Sequence, residues 1–303
     1  MSEGLFETVR TFPDPDAQER YNGLIGLDPI KQRLDKEAHS MLRPDLLEKW
    51  SQDKHGVRLP ALSLLQRRPP LFIFAGDVGT GKTELATTFG DSLARETGIK
   101  VQLFCLSLRA RGSGAVGEMT RLISDAFRYL REHCPKPHGK RPTGAAILLI
   151  DEADSLAQSR EIVQMHHEDR AGVNALIRGV DDIAVSKLSC LIVMCTNRLS
   201  ALDPAVRRRA AAVFEFARPS LELRHRLLDV QLAGTGLTHP DLEALAQHLG
   251  ETKTRSYGYT FSDITQRFIP ALVLAAYPKD RVTRHLAVEV INGMVPTQPF
   301  KTE

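Results

Sequence analysis

The chain has 303 residues, 42% of them hydrophobic and 25% charged, which suits one large globular domain or two smaller ones. Its formal charge of +3 is spread along the sequence and is too weak to argue for nucleic acid by itself. No apolar run approaches the length of a membrane span, and Met1-Ser2-Glu3-Gly4 lacks the basic stretch and apolar core of a signal peptide, so a soluble cytoplasmic protein is expected.

The four cysteines, Cys105, Cys134, Cys190 and Cys195, show no metal spacing. Three lie in strand-like apolar runs, where they read as small buried hydrophobes in a reducing compartment. Residues 1 to about 20 are polar, carry Pro13 and Pro15, and are expected to form a flexible tail. Tyr21 to Leu27 follows, then an amphipathic stretch to about Leu47. The Ile25-Gly26 turn suits either backbone laid against an adenine ring or an ordinary turn before a helix.

Leu71 to Ala75 is an apolar run that reads as a strand. It leads into Gly76-Asp77-Val78-Gly79-Thr80-Gly81-Lys82-Thr83, and a helical pattern with Leu85, Phe89 and Leu93 begins there. This is the strand–loop–helix setting of a phosphate-binding loop. The glycines let backbone N–H groups fold around an anion, and the helix N-terminus adds its positive dipole end. Lys82 is placed to reach the β- and γ-phosphates of a nucleotide, and the Thr83 hydroxyl to ligate Mg²⁺.

Gly98 is a plausible helix cap, and Val101 to Leu108 reads as a second strand. Arg109 to Gly117 is a Gly-rich basic loop, and a helix is expected over 118–131. Residues 132–143 hold three prolines and basic side chains, so they read as a solvated surface loop. Ala145 to Ile150 is a strand buried on both faces, ending in Asp151-Glu152-Ala153-Asp154. A polar stretch containing His166 and His167 precedes a helix that runs to Asp181. Leu188 to Cys195 is another buried strand, ending at Thr196-Asn197-Arg198. Leu202-Asp203-Pro204 starts a short helical stretch bearing Arg207, Arg208 and Arg209, and Ala211 to Phe216 is the last strand.

From Pro219 the strand signals stop. Helices are expected after Ser220, over 240–249, over 262–276 and over 283–291. The chain therefore reads as an α/β domain with at least five mainly parallel strands, then a small all-helical domain.

Strand ends carry the remaining chemistry. Asp151 and Glu152 fall at the C-terminal edge of the sheet, where open α/β sheets bind ligands. Asp151 is assigned to hold Mg²⁺ and Glu152 to polarise the attacking water. Asn197 ends the next strand at the same edge and can orient that water. Arg207, Arg208 and Arg209 are either candidates for an arginine finger or a basic solvated face. A finger acting from a neighbouring subunit needs head-to-tail contacts, as in a ring.

In order and context these segments resemble the motifs of AAA+ ATPases. Gly76–Thr83 is similar to Walker A, Ile147–Glu152 to Walker B, Thr196-Asn197-Arg198 to sensor 1, and Leu202-Asp203-Pro204-Ala205 to the segment before the arginine finger. The resemblance implies the AAA+ fold: a parallel five-stranded αβα sandwich over residues 21–217 and a small helical lid over 218–303. It also implies ATP, Mg²⁺ and a homohexameric ring. Ser113-Gly114-Ala115-Val116-Gly117-Glu118 resembles the pore loop of protein-remodelling members, which implies client contacts at Arg109, Arg111, Ala115 and Val116.

Leu149 to Leu156, Val173 to Asp181, and Asp203 to Phe216 with Arg209 at the finger position are similar to the pachytene-checkpoint family. That family remodels HORMA-domain proteins, and its bacterial members disassemble HORMA–nucleotidyltransferase complexes in anti-phage (CBASS) systems. Two departures stand out. Ala115 replaces the usual pore-loop aromatic, and no arginine falls at the sensor 2 position near Phe261 to Ile264, with Arg267 one turn late. An unfoldase for another client, a DNA-directed clamp-loader or initiator relative, and a nucleotide-gated scaffold are the alternative readings.

Overall fold

The computed structural model describes residues 4–108, 117–135, 142–156, 168–186, 188–253 and 255–300. Six strands form one sheet among them: β1 (Thr8–Phe12), β2 (Leu71–Gly76), β3 (Lys100–Ser107), β4 (Gly144–Asp151), β5 (Cys190–Thr196) and β6 (Ala210–Phe216). Their order is β1-β3-β4-β5-β2-β6. β4 pairs in parallel with β3 and β5, and β5 with β2, in the register Ile150↔Met194 and Ala75↔Thr196. The parallel strands are buried along almost their whole length, which explains their unbroken apolar sequence.

The N-terminal segment corrects the sequence reading. Instead of a flexible tail, Thr8–Phe12 forms an antiparallel edge strand on β3, with Thr8 opposite Cys105 and Phe12 opposite Val101. It is followed by α1 (Pro15–Asn22), capped by the Asp14 carboxylate, which accepts from Asp16 N. The sheet therefore has six strands rather than five, and the added strand, β1, is antiparallel to β3.

Helices α2 (Asp28–Leu42), α3 (Pro44–His55) and α4 (Ala61–Leu65) precede β2. Helix α5 (Lys82–Thr97) follows the glycine loop. Next come α6 (Glu118–His133), α7 (Glu168–Ser186) and α8 (Pro204–Arg209). The C-terminal part is helical throughout: α9 (Leu221–Gln231), α10 (His239–His248), α11 (Ile269–Ala276) and α12 (Arg284–Asn292). The helix expected over 262–276 is divided. Asp263–Phe268 is a widened π-turn and α11 begins only at Ile269. Pro270 supplies the reason, since it has no N–H for an i→i−4 bond and its ring clashes with the carbonyl four residues earlier.

The chain divides into two compact units. One comprises Met1–Gly23, Pro29–Ala75 and Thr83–Glu215; the other comprises Leu24–Asp28, Gly76–Lys82 and Phe216–Glu303. In the first, a core of Ile73, Leu106, Phe127, Leu148, Leu176 and Met194 lies against the sheet. In the second, Leu228, Leu245, Tyr259, Phe268 and Ile291 form a separate core, on which Ile25 packs. Among the described residues no helix is long and apolar enough to cross a membrane.

Candidate nucleotide site

The glycine loop keeps company with the C-terminal helices. Gly76 has φ +153°, and a Cβ there would fall 2.1 Å from the Phe216 carbonyl oxygen, so only glycine fits. Gly79 has φ +75° and its missing Cβ would meet Thr260 Oγ1 at 2.6 Å, while its carbonyl accepts from Ser262 N at 3.0 Å. Thr80 is buried and donates from Oγ1 to the Asp77 carbonyl at 2.7 Å. Val78 is exposed at the loop's tip. Gly81, with φ +96°, lies against Leu27 and Leu24, and Gly26, with φ +80°, lies against Leu223. The Ile25-Gly26 turn is thus part of the same unit as the loop.

Lys82 is buried, and its Nζ donates to the Gly76 and Asp77 carbonyls at 2.8 and 2.7 Å. A lysine ammonium drawn into its own loop at a helix N-terminus, with the glycine backbone folded around it, suits a polyphosphate. The residues present fit the ligand that the sequence implied.

The other unit holds the acidic strand end. Thr83 Oγ1 donates to Asp151 Oδ1 at 3.3 Å. A hydroxyl and a carboxylate converging on one point are hard oxygen donors of the kind Mg²⁺ takes. Asp151 Oδ1 also accepts from Glu152 N at 2.9 Å. Glu152 has φ +54°, the only positive value of a non-glycine residue among those described. A left-handed glutamate is uncommon and costs backbone strain, and such strain gathers at functional positions.

One residue of the acidic strand end has a role that the sequence alone does not assign. Asp154 is buried and binds the end of β5 from several sides. Its carboxylate accepts from Thr196 Oγ1, from Asn197 N at 2.9 Å, from Asn197 Nδ2 at 3.0 Å and from Arg198 N at 3.4 Å. Asn197 is therefore fixed in both backbone and side chain. The available signal was a second carboxylate three residues after Asp151, just beyond a buried strand.

The arginines of α8 differ from one another. Asp203 caps the helix by accepting from Ala205 N at 2.7 Å. Arg209 donates from Nε and Nη2 to the two Asp181 oxygens at 2.8 and 2.9 Å, which raises its pKa further, and from Nη1 to the Ala205 carbonyl. Arg207 and Arg208 are exposed. Arg267, the late sensor 2 candidate, donates to Asp263 Oδ1 at 2.8 Å. The pore-loop candidates Arg109, Arg111, Ala115 and Val116, and the pair His166 and His167, lie outside the described residues.

The family model for "ATPase family associated with various cellular activities (AAA)" matches residues 72–218. A protein of Escherichia coli (strain MS 115-1), CD-NTase-associated protein 6, is 52% identical over 299 residues, covering 98% of this chain and 96% of that protein. The chain belongs to this family of AAA ATPases. A chain in the solved HORMA:CdnC:Trip13 complex of E. coli MS115-1 superposes with a TM-score of 0.90 at 51% identity, covering 98% of this chain and 97% of that one. The structure of Rhizobiales Trip13 matches with a TM-score of 0.74 at 41% identity, covering 97% of this chain and all of that one (100%). The fold is thus the AAA+ fold, and the likeness to the pachytene-checkpoint type holds over nearly the whole chain.

Proposed function

We propose that this AAA ATPase hydrolyses ATP with Mg²⁺ and spends the energy on remodelling a HORMA-domain protein bound to a nucleotidyltransferase, as a cytoplasmic homohexamer in an anti-phage system. The observation that carries the reading is the 51% identity and TM-score of 0.90 to a chain solved in a HORMA:CdnC:Trip13 complex.

In this reading Gly76 to Gly81 cradle the phosphates, Lys82 transfers its ammonium from loop carbonyls to phosphate oxygens, and Ile25-Gly26 lies along the base. Thr83 and Asp151 would hold Mg²⁺, which would offset charge on the phosphate oxygens. Glu152 takes the proton of the attacking water. Asn197, clamped by Asp154 through Nδ2, offers its Oδ1 as an acceptor that aims that water. Arg208 or Arg209 acts on the site of the neighbouring subunit, Arg209 after leaving Asp181. The client passes Arg109, Arg111, Ala115 and Val116.

Glu152→Gln should retain ATP binding and lose turnover by about 100-fold or more; wild-type hydrolysis by this variant would remove Glu152 from the role. For the client, a purified HORMA–nucleotidyltransferase complex should come apart on gel filtration with wild-type protein and ATP, and stay intact with Glu152→Gln. An intact complex in both cases would sink the remodelling assignment while leaving the ATPase standing.

A further inference from the structure

Asp77 is an odd resident of a phosphate-binding loop. Its carboxylate adds a negative charge to a loop whose backbone is read as holding an anion. The structure also places a cation on it. Arg218, 141 residues later in sequence, donates from Nε to Asp77 Oδ2 at 2.7 Å. Both side chains are largely withdrawn from solvent, at 14% and 25% exposure, so the pair is screened less than a surface ion pair.

The same guanidinium reaches two further segments of its unit. Its Nη1 donates to the Gly258 carbonyl at 2.6 Å and to the Thr297 carbonyl at 2.9 Å. Thr297 is in turn fixed by Asp263, which accepts from its N at 3.0 Å and its Oγ1 at 2.7 Å. The Tyr257 ring lies beneath the guanidinium at 5.3 Å. Its Nη2 is buried with no hydrogen-bond partner, which leaves one charged donor unused beside the loop.

We propose that Arg218 is a positioning residue for nucleotide: it cancels the Asp77 charge inside the phosphate loop and so sets the loop's affinity for a polyphosphate anion. Arg267, spent on Asp263, does not do this. The proposal rests on the phosphate reading of Gly76–Thr83.

The test is Mg·ADP binding by calorimetry to the full chain and its variants. Arg218→Gln should bind about tenfold more weakly or worse, because Asp77 is then uncompensated, and the deficit should shrink as salt is raised. Asp77→Asn should bind several-fold more tightly, because Arg218 then faces the phosphates unpaired. Asp77→Asn combined with Arg218→Gln should regain most of the affinity that Arg218→Gln loses. A purely structural role through Gly258 and Thr297 predicts no such rescue, and a double variant as weak as Arg218→Gln overturns the proposal. So does wild-type affinity in Arg218→Gln or weaker binding by Asp77→Asn. If Arg218→Gln does not fold, Asp77→Asn, which keeps the Gly258 and Thr297 bonds, decides alone. Lys82→Ala separates the two claims: if it binds as well as wild type, the phosphate reading fails; if it loses binding while Arg218→Gln keeps it, only the Arg218 role fails.

Discussion

Asp154 shows how one buried carboxylate can hold an amide side chain still. It is 5% exposed and accepts from Thr196, Asn197 and Arg198 at the end of β5. Removing it leaves several donors of that turn unsatisfied and frees the Asn197 side chain to rotate. Asp154→Ala is therefore expected to lower stability by about 3 kcal/mol. ATP turnover should fall by at least about tenfold, with nucleotide affinity much less affected, since the hydrogen bonds of Asp154 go to the Thr196–Arg198 turn. Thermal unfolding and steady-state kinetics check this together, and unchanged turnover in a folded variant would detach Asp154 from the chemistry. Gly79 offers a second prediction at this scale. With φ +75° and Thr260 Oγ1 2.6 Å from its absent Cβ, Gly79→Ala must move either the loop or Thr260. A cost of about 1–3 kcal/mol in stability and a clear loss of nucleotide affinity are expected, measured by denaturant unfolding and calorimetry.

Elements that make their own signal are legible in the sequence. The apolar runs of β2, β4 and β5 are buried on both faces, so they stand out without a partner, and the residues that end them fall at one sheet edge. β1 had no such signal. Its burial alternates, only Phe12 is fully covered, and two prolines follow, so the strand exists because β3 has a free edge for it. The π-turn at Asp263–Phe268 depends on Pro270 acting backwards along the chain, which periodicity does not register. Arg218 on Asp77 is a pairing across 141 residues, and Asp154 on Asn197 across 43, so neither could be read from local spacing. The β1 placement can be tested through Gly90 of α5. A Cβ there would fall 2.5 Å from the Phe12 ring, which is wholly buried. Gly90→Ala should cost about 1–3 kcal/mol through this overpacking, and Phe12→Ala about 3–5 kcal/mol through the cavity it leaves. If residues 8–12 were loose instead, both substitutions would leave the unfolding midpoint unchanged.

At the scale of the whole molecule, each unit carries a carboxylate, buried Asp263 in one and half-buried Asp35 in the other, whose pH responses have opposite signs. In the C-terminal unit burial pushes Asp263 up, but hydrogen bonds from Thr260 and Thr297 and the Arg267 guanidinium outweigh it and hold its pKa below the usual carboxylate range. That contribution is present above the unfolded pKa and is lost as the pH falls through the folded one. In the other unit Asp35 is pushed up to about 6, first by burial and then by Glu96, against the pull of Lys31 and Tyr21. Its Oδ1 is buried without a hydrogen-bond partner. A carboxyl with a raised folded pKa binds its proton more tightly folded than unfolded. Its stabilising effect is full below the unfolded value of 3.8 and is lost as the pH rises through about 6. Near pH 7 the ionised, partly exposed group is a burden of about 1 kcal/mol. Asp35→Asn should therefore be the more stable protein near neutrality. That advantage should shrink between about pH 6 and pH 4 as wild-type Asp35 takes up its proton. Denaturant unfolding of both proteins across that window measures the difference directly. A gap that stays constant with pH would show that Asp35 keeps an ordinary pKa in the fold, and that the neighbourhood of Tyr21, Lys31 and Glu96 is wetter than its packing indicates.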